Sequence, residues 1–167
     1  YEAVSKAYAN PPTSTAQILH PQKYLANPRE EPIVIPWPKM KIKGEAPVGD
    51  NVVGEFGLRI LFTEWLDAAT AERAAAGWRG DRYLYYAGGD AVVWKTVWAS
   101  AEEATEFFEA EKKLLEKRHQ LTGVRSTERS FEADTPRFVR LQQTEANEVI
   151  LIDAANGEWG AALGEFR

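Results

Sequence analysis

Proline is distributed very unevenly along this chain of 167 residues, because eight of its nine prolines lie between Pro11 and Pro47. Proline fixes φ, lacks a backbone N–H and disfavours helix in the residue before it. Residues 1–50 are therefore expected to form a Pro-rich extended arm, with one short helix begun by Ser14 or Thr15 and an edge strand at 34–37. Such an arm is expected to wrap over another surface.

Ahead of the prolines, apolar residues recur at helical spacing over residues 1–9, and Asn10-Pro11-Pro12 ends that pattern. The chain opens at Tyr1, and its one methionine is Met40. We expect the first residues to be the end of a helix that begins earlier, in a longer protein.

Residues 51–80 are expected to form a helical hairpin. Apolar side chains cover nearly every side of its first helix, which is typical of a buried helix. Glu55 and Arg59 have the i, i+4 spacing of a helical ion pair. Asp67 is expected to cap a second, Ala-rich helix that ends near Gly77.

Residues 81–167 are expected to form an antiparallel α+β unit, a β-hairpin, a helix and a second β-hairpin. Ser100 and Glu103 have the spacing of a capping box at the start of that helix. Strands are predicted at 83–87, 91–98, about 137–143 and about 148–153, with an additional strand possible at 129–133. The predicted fold class is α+β, with the arm, a buried helical hairpin and a small antiparallel sheet that has one helix on a face, together one compact unit.

Composition excludes several classes of protein. The formal net charge is 20 − 25 = −5, which argues against binding to nucleic acid. The chain has no cysteine, so a disulfide or a thiolate metal site cannot form. No apolar run is long enough to insert into a membrane, and no signal peptide is expected within this segment.

The two histidines, His20 and His119, have no metal-binding spacing, so no metal site is predicted in this chain. His119 is expected to be solvated at the C-terminal end of the long helix, where the helix dipole favours a cation. His20 is expected either to be a turn residue that bonds nearby backbone or to line a cleft built with residues beyond this chain.

Glu55 is the most unusual carboxylate because it lies in an otherwise apolar helix. We expect an ion pair with Arg59 or Arg82, with a cavity as the alternative, and treat all three as candidate ligand-binding residues. Arg79, Asp81 and Arg82 lie in a glycine-containing corner that is typical of a turn, where they could pair with one another. A packing role is favoured for this corner over ligand binding.

The run PPTSTAQILHPQKY at residues 11–24 resembles a signature of uncharacterised zincin-like proteins of bacteria and haloarchaea, which are predicted to be metallopeptidases at the cell surface or on a lipid anchor. Later segments of that group are similar to Gly54-Glu55-Phe56-Gly57, to residues 76–83 and to Trp94-Lys95-Thr96-Val97-Trp98, in the same order. The resemblance covers residues 1 to about 110.

This resemblance implies that the chain is a non-catalytic, accessory C-terminal portion of a larger, extracytoplasmic or cell-surface protein. The catalytic His-Glu-x-x-His helix of the group lies upstream, so zinc and peptidase activity would belong to the N-terminal half, which would be this chain's partner. His20 or Tyr24 is the candidate catalytic residue, which would face the substrate cleft of the whole protein and stabilise an oxyanion.

Two other functions stay open. The chain could be a stand-alone binding or protein-interaction module that uses its sheet face or the corner at residues 79–83. A third possibility is a small-molecule enzyme whose site lies around Glu55, Arg59 and Arg82.

Overall fold

The computed structural model describes residues 2–37, 39–164 and 166. The arm begins with the helix α1 (Glu2–Ala9), followed by the short helices α2 (Thr15–Leu19) and α3 (Pro21–Leu25). Ser14 caps α2 by accepting a hydrogen bond from the Gln17 amide, which confirms the predicted helix start.

The arm continues without a helix or strand toward the sheet, and the predicted edge strand at 34–37 is wrong. This segment lies outside the sheet because Pro36 cannot donate to a ladder and because Ile35 and Trp37 instead bury their side chains on a sheet face. The arm therefore packs on the chain's own sheet.

The predicted helical hairpin is present as α4 (Gly54–Thr63) and α5 (Ala68–Ala75). Asp67 caps α5 by accepting a hydrogen bond from the Thr70 amide. The expectation that α4 is buried all round is wrong, since Phe56 and Ile60 are 51% and 53% exposed. Only the side of α4 that carries Leu58 and Phe62 faces the core.

In the part of the chain that the structure describes, seven strands form one antiparallel sheet in the order β1-β2-β3-β7-β6-β5-β4. Their bounds are β1 (Gly49–Asn51), β2 (Trp78–Tyr86), β3 (Ala91–Trp98), β4 (Arg125–Ser126), β5 (Ser130–Ala133), β6 (Phe138–Glu145) and β7 (Glu148–Ala154). The sequence predicts β3, β5, β6 and β7 and misses the two short edge strands β1 and β4. The edge strands have two or three residues, too few for an apolar alternation to be visible.

The strand β2 begins at Trp78 rather than at Tyr83, so the predicted turn at residues 77–82 is wrong. Gly80 lies inside the strand and lets the arm approach closely, since a Cβ there would collide with the Ile33 carbonyl oxygen. The Ile33 amide donates a hydrogen bond of 2.6 Å to the Arg79 carbonyl. The glycine is explained by this contact between arm and strand.

The helix α6 (Ala101–His119) covers one face of the sheet, beside α4 and α5. The Ser100 Oγ accepts a hydrogen bond from the Glu103 amide, which confirms the predicted cap. Five apolar side chains of this helix are buried against the sheet and the other helices: Ala104, Phe107, Phe108, Leu114 and Leu115. The face they contact includes Trp94 and Trp98 of β3, as the strand alternation predicts.

The opposite sheet face is also covered, so the prediction of a helix on one face alone is incomplete. The helix α7 (Gly157–Leu163) packs there, with Trp159 against Tyr86 at a ring separation of 6.1 Å. Trp37 of the arm contacts Phe166 edge to face at 4.8 Å. The fold class is α+β, as predicted, with an antiparallel sheet between two layers. In the part of the chain described, no helix is both long and apolar enough to cross a membrane.

Candidate functional site

Glu55 lies in the first turn of α4 and is completely buried. Its Oε1 contacts His20 Nε2 at 2.7 Å and accepts a hydrogen bond of 3.0 Å from Arg59 Nη2. Arg59 also contacts Glu72 of α5 at 3.3 Å. The Glu55–Arg59 pair is the one that the i, i+4 spacing predicts, and the partner His20 adds a link from α4 to the α2–α3 junction.

Two atoms of this cluster are buried without a hydrogen-bond partner among the described residues, Glu55 Oε2 and Arg59 Nε. A buried carboxylate is normally stabilised by several donors, and here one oxygen receives both of them. The helix N-terminus adds a favourable electrostatic contribution, because the positive end of the α4 dipole lies at the first turn. The cluster is thus a link between helices with one oxygen left free.

Arg82 does not join this cluster. Its Nε and Nη2 donate to the two oxygens of Asp50 at 2.8 and 3.0 Å, and its Nη1 donates to the Ile35 carbonyl at 2.9 Å. The hydrogen bonds from Arg82 hold the pKa of Asp50 well below its usual range. Arg82 therefore joins β2 to β1 and to the arm, and the predicted local pairing of Arg79, Asp81 and Arg82 is wrong.

Asp81, the neighbour of Arg82, points to the opposite side of β2 and is buried. It accepts hydrogen bonds from the amides of Val53 and Gly54 at 2.8 and 2.9 Å. The indole N–H groups of Trp78 and Trp94 also donate to it, each at 2.9 Å. One carboxylate thus caps α4 from a strand and satisfies two buried tryptophans, a role that the sequence analysis missed.

Tyr24, the other candidate catalytic residue, lies on α3 and contacts the arm. Its hydroxyl donates a hydrogen bond of 2.7 Å to the Asn10 carbonyl, and the Arg29 guanidinium lies 5.6 Å from its ring centre. These contacts tie α3 to the end of α1. The hydroxyl of Tyr24 and the Nε2 of His20 are both engaged within this chain.

A cleft of about 540 Å³ opens beside Asp81 and Arg82. Its walls are residues 13–15, residues 32–35 of the arm and residues 50–54 ahead of α4, and its floor includes Trp78. Three of the segments that carry the resemblance meet around this cleft, although they are far apart in the sequence. Its charged groups already pair with one another or with backbone, and its remaining walls are mostly apolar.

A second cluster of buried charged groups lies at the end of α6, and the sequence analysis missed it. The expectation that His119 is solvated is wrong, since its Nε2 lies 3.1 Å from Oδ2 of the buried Asp153. Burial lowers the pKa of His119, with the nearby Asp153 carboxylate opposing that shift. Burial also raises the pKa of Glu111 to about 8, and Asp153 adds to this effect.

Among residues 2–37, 39–164 and 166, no group of three or more His, Asp or Glu side chains is placed to hold a metal ion. Comparison with known proteins identifies one family. A family model described as "Domain of unknown function (DUF8575)" matches residues 42–162, which is more than half of the chain. No curated protein and no solved structure matches.

Proposed function

We propose that this chain, which belongs to the DUF8575 family, is the non-catalytic accessory portion of a larger zincin-like protein, and that it docks against the N-terminal, zinc-binding half of that protein. The family assignment leaves the activity open, and the match begins at residue 42, after the signature at residues 11–24. The proposal therefore depends on the resemblance and on the surface of the molecule.

The observation that carries the proposal is the position of the exposed apolar side chains. Among the described residues, every large apolar side chain that is exposed lies between Val4 and Trp65, apart from Val124. Isolated apolar residues are normal on a protein surface, but a concentration in one region is typical of an interface.

Two patches stand out among these residues. The α1–α3 patch is a shallow apolar groove of about 730 Å³ between α1, the first prolines and α3, and in it Tyr8 and Leu25 are 85% and 74% exposed. The α4 patch consists of Phe56 and Ile60, one helical turn apart. Both patches belong to the N-terminal helices of this chain.

The contacts of the candidate catalytic residues also favour an accessory role. His20 and Tyr24 each bond a group of this chain, and these bonds hold α3 to α1 and to α4. The chemistry of a zincin needs two histidines on one helix face with a glutamate base, and this chain has two histidines 99 residues apart (119 − 20). Zinc and peptidase activity, and an extracytoplasmic or cell-surface location, are accordingly proposed for the whole protein.

Substitution of Ile60 in the full-length parent protein tests the docking. Ile60→Asp puts a charge into the α4 patch, so we expect the two halves to separate and limited proteolysis between them to accelerate at least about tenfold. Val124→Asp is the matched control, since Val124 is an exposed apolar residue far from the N-terminal helices along the chain, and it should leave proteolysis unchanged. Equal rates in wild type and Ile60→Asp would contradict docking through α4.

Metal content provides the second test. The parent protein should contain about one zinc ion per chain and lose it when the upstream histidines are changed, whereas residues 1–167 alone should bind no stoichiometric zinc and cleave no peptide. Stoichiometric zinc or peptidase activity in this chain alone would contradict the proposed accessory role.

The cleft beside Asp81 favours a second candidate function, a binding or interaction module. Val52 lies at its rim and is exposed. If Val52→Asp accelerated the proteolysis of the parent protein and Ile60→Asp did not, the two halves would dock through the cleft; if neither variant accelerated it, this second candidate would replace the first.

A further inference from the structure

Glu111 lies on the sheet-facing side of α6, among the residues of the core, and it is buried. Its Oε2 has no hydrogen-bond partner in the part of the chain that the structure describes. An ionised carboxylate in such a position would lose its hydration without compensation. The accessory role proposed above makes no use of this group.

A second buried carboxylate, Asp153 of β7, lies on the same sheet face as Val149 and Leu151, the face that α6 covers. Asp153 accepts a hydrogen bond of 2.7 Å from Arg137 Nε and contacts His119 Nε2 at 3.1 Å. Arg137 also donates to Oδ2 of Asp90, at 2.8 Å, in the turn before β3. Asp153 is thus held at the end of α6 by contacts with an arginine and a histidine.

The charged groups of this corner come from α6, from the sheet and from two loops. The α6 helix contributes Arg118 and His119, the sheet contributes Asp153, and the loops at the ends of β3 and β6 contribute Asp90 and Arg137. Arg137 donates hydrogen bonds to Asp153 and Asp90, whereas Arg118 is exposed at the surface. Among the described contacts, neither arginine bonds Glu111.

We propose that Glu111 and Asp153 form a pH-sensitive lock, which holds the C-terminal half of α6 on the sheet while Glu111 is neutral and loosens it when Glu111 ionises. Ionisation would place two carboxylates in the same buried space. Their repulsion and the lost hydration of Glu111 both oppose the closed arrangement. Separation of α6 from β7 relieves both.

The direction of the pH dependence follows from the pKa of Glu111, which burial and, secondarily, Asp153 raise from 4.5 to about 8. The folded protein therefore holds this proton more tightly than the unfolded chain. The stability that the folded protein gains by holding the Glu111 proton is fully present below about pH 4.5. This stability declines as the pH rises and is lost above about pH 8. His119 has the opposite dependence, because burial lowers its pKa and acid therefore weakens folding through this residue.

Urea denaturation between pH 5 and pH 9 tests the lock on wild type, Glu111→Gln and Glu116→Gln. Glu116 is exposed on the same helix and serves as the matched control. We expect the unfolding equilibrium constant of the wild type and the control to increase by a factor on the order of 10²–10³ across this range. In Glu111→Gln, which cannot ionise, the increase should shrink to a few-fold.

Two direct measurements keep the proposal testable if Glu111→Gln does not fold. The carboxyl carbon of Glu111 in the wild-type protein should titrate near pH 8 by NMR. The hydrogen-exchange protection factors, which remove the effect of base on intrinsic exchange, should fall at pH 9 in residues 111–119 before they fall in the strands. Titration of Glu111 near its ordinary pKa would overturn the lock. So would a Glu111→Gln protein that kept the pH dependence of the wild type.

Discussion

At the scale of single residues, the molecule is organised by buried carboxylates that bond groups distant in the sequence. Asp81 joins β2 to the start of α4 and to two tryptophans. Glu55 joins α4 to His20. Charge-assisted hydrogen bonds are the stronger kind, and a buried carboxylate costs stability unless its donors are present. These two residues therefore fix where the arm and α4 meet the sheet.

Replacement of Asp81 by Asn tests this role. Asn keeps one acceptor oxygen and presents an amide donor where two N–H groups already point, so we expect the free energy of unfolding to fall by about 3 kcal/mol. Urea denaturation at neutral pH measures it. Asp134→Asn is the control because Asp134 is an exposed partner of Arg125, and its effect should stay within about 0.5 kcal/mol. A loss below about 1 kcal/mol in Asp81→Asn would mean that the four donors find other acceptors.

The residue contacts that sequence predicts are the local ones. Glu55–Arg59 and Ser100–Glu103 follow from helical spacing, and the structure contains both. Contacts such as Asp81–Trp94, His20–Glu55 and His119–Asp153 link segments whose proximity depends on the finished fold. The sequence analysis offers Arg82 as an alternative partner of Glu55. In the sheet, its neighbour Asp81 is the one that reaches α4, since side chains alternate along a strand.

At the scale of elements, the arm packs closely against β2. The Ile33 amide bonds Arg79, the Arg82 guanidinium bonds the Ile35 carbonyl, and Gly80 provides the space between them. The glycine suggested a turn in the sequence, although its role is a close approach of two backbones. The helix α7 was not predicted at all, because it contains two glycines and only seven residues.

Gly80→Ala should displace the arm from β2. Its Cβ would collide with the backbone of Ile33, which cannot move aside as a flexible side chain would, so we expect a loss of about 1–3 kcal/mol. Hydrogen exchange of the Ile33 amide should accelerate at the same time. Gly157→Ala is the control, since nothing lies within 4 Å of a Cβ at that position, and it should change stability by less than about 0.5 kcal/mol. An Ile33 amide that stayed protected in Gly80→Ala would show that the arm is held elsewhere.

At the scale of the whole molecule, a sheet covered on both faces accounts for the C-terminal two thirds of the chain, and the N-terminal helices add a layer with an uncovered apolar side. The short edge strands β1 and β4 limit pairing with other sheets. The fold class could be predicted because helix caps and strand alternation are local signals. The exposure of one side of α4 could not be predicted, because an apolar helix has the same sequence pattern whether its second side packs in its own core or against another protein.

Hydrogen exchange of the full-length parent protein, compared with residues 1–167 alone, tests the docking most directly. We expect the amides of α1, α3 and α4 to exchange at least about tenfold more slowly in the parent, while β5 and β6 exchange at the same rate in both. Equal rates in these helices would contradict an accessory portion that docks through its N-terminal helices, and slower exchange confined to residues 50–54 would move the contact to the cleft.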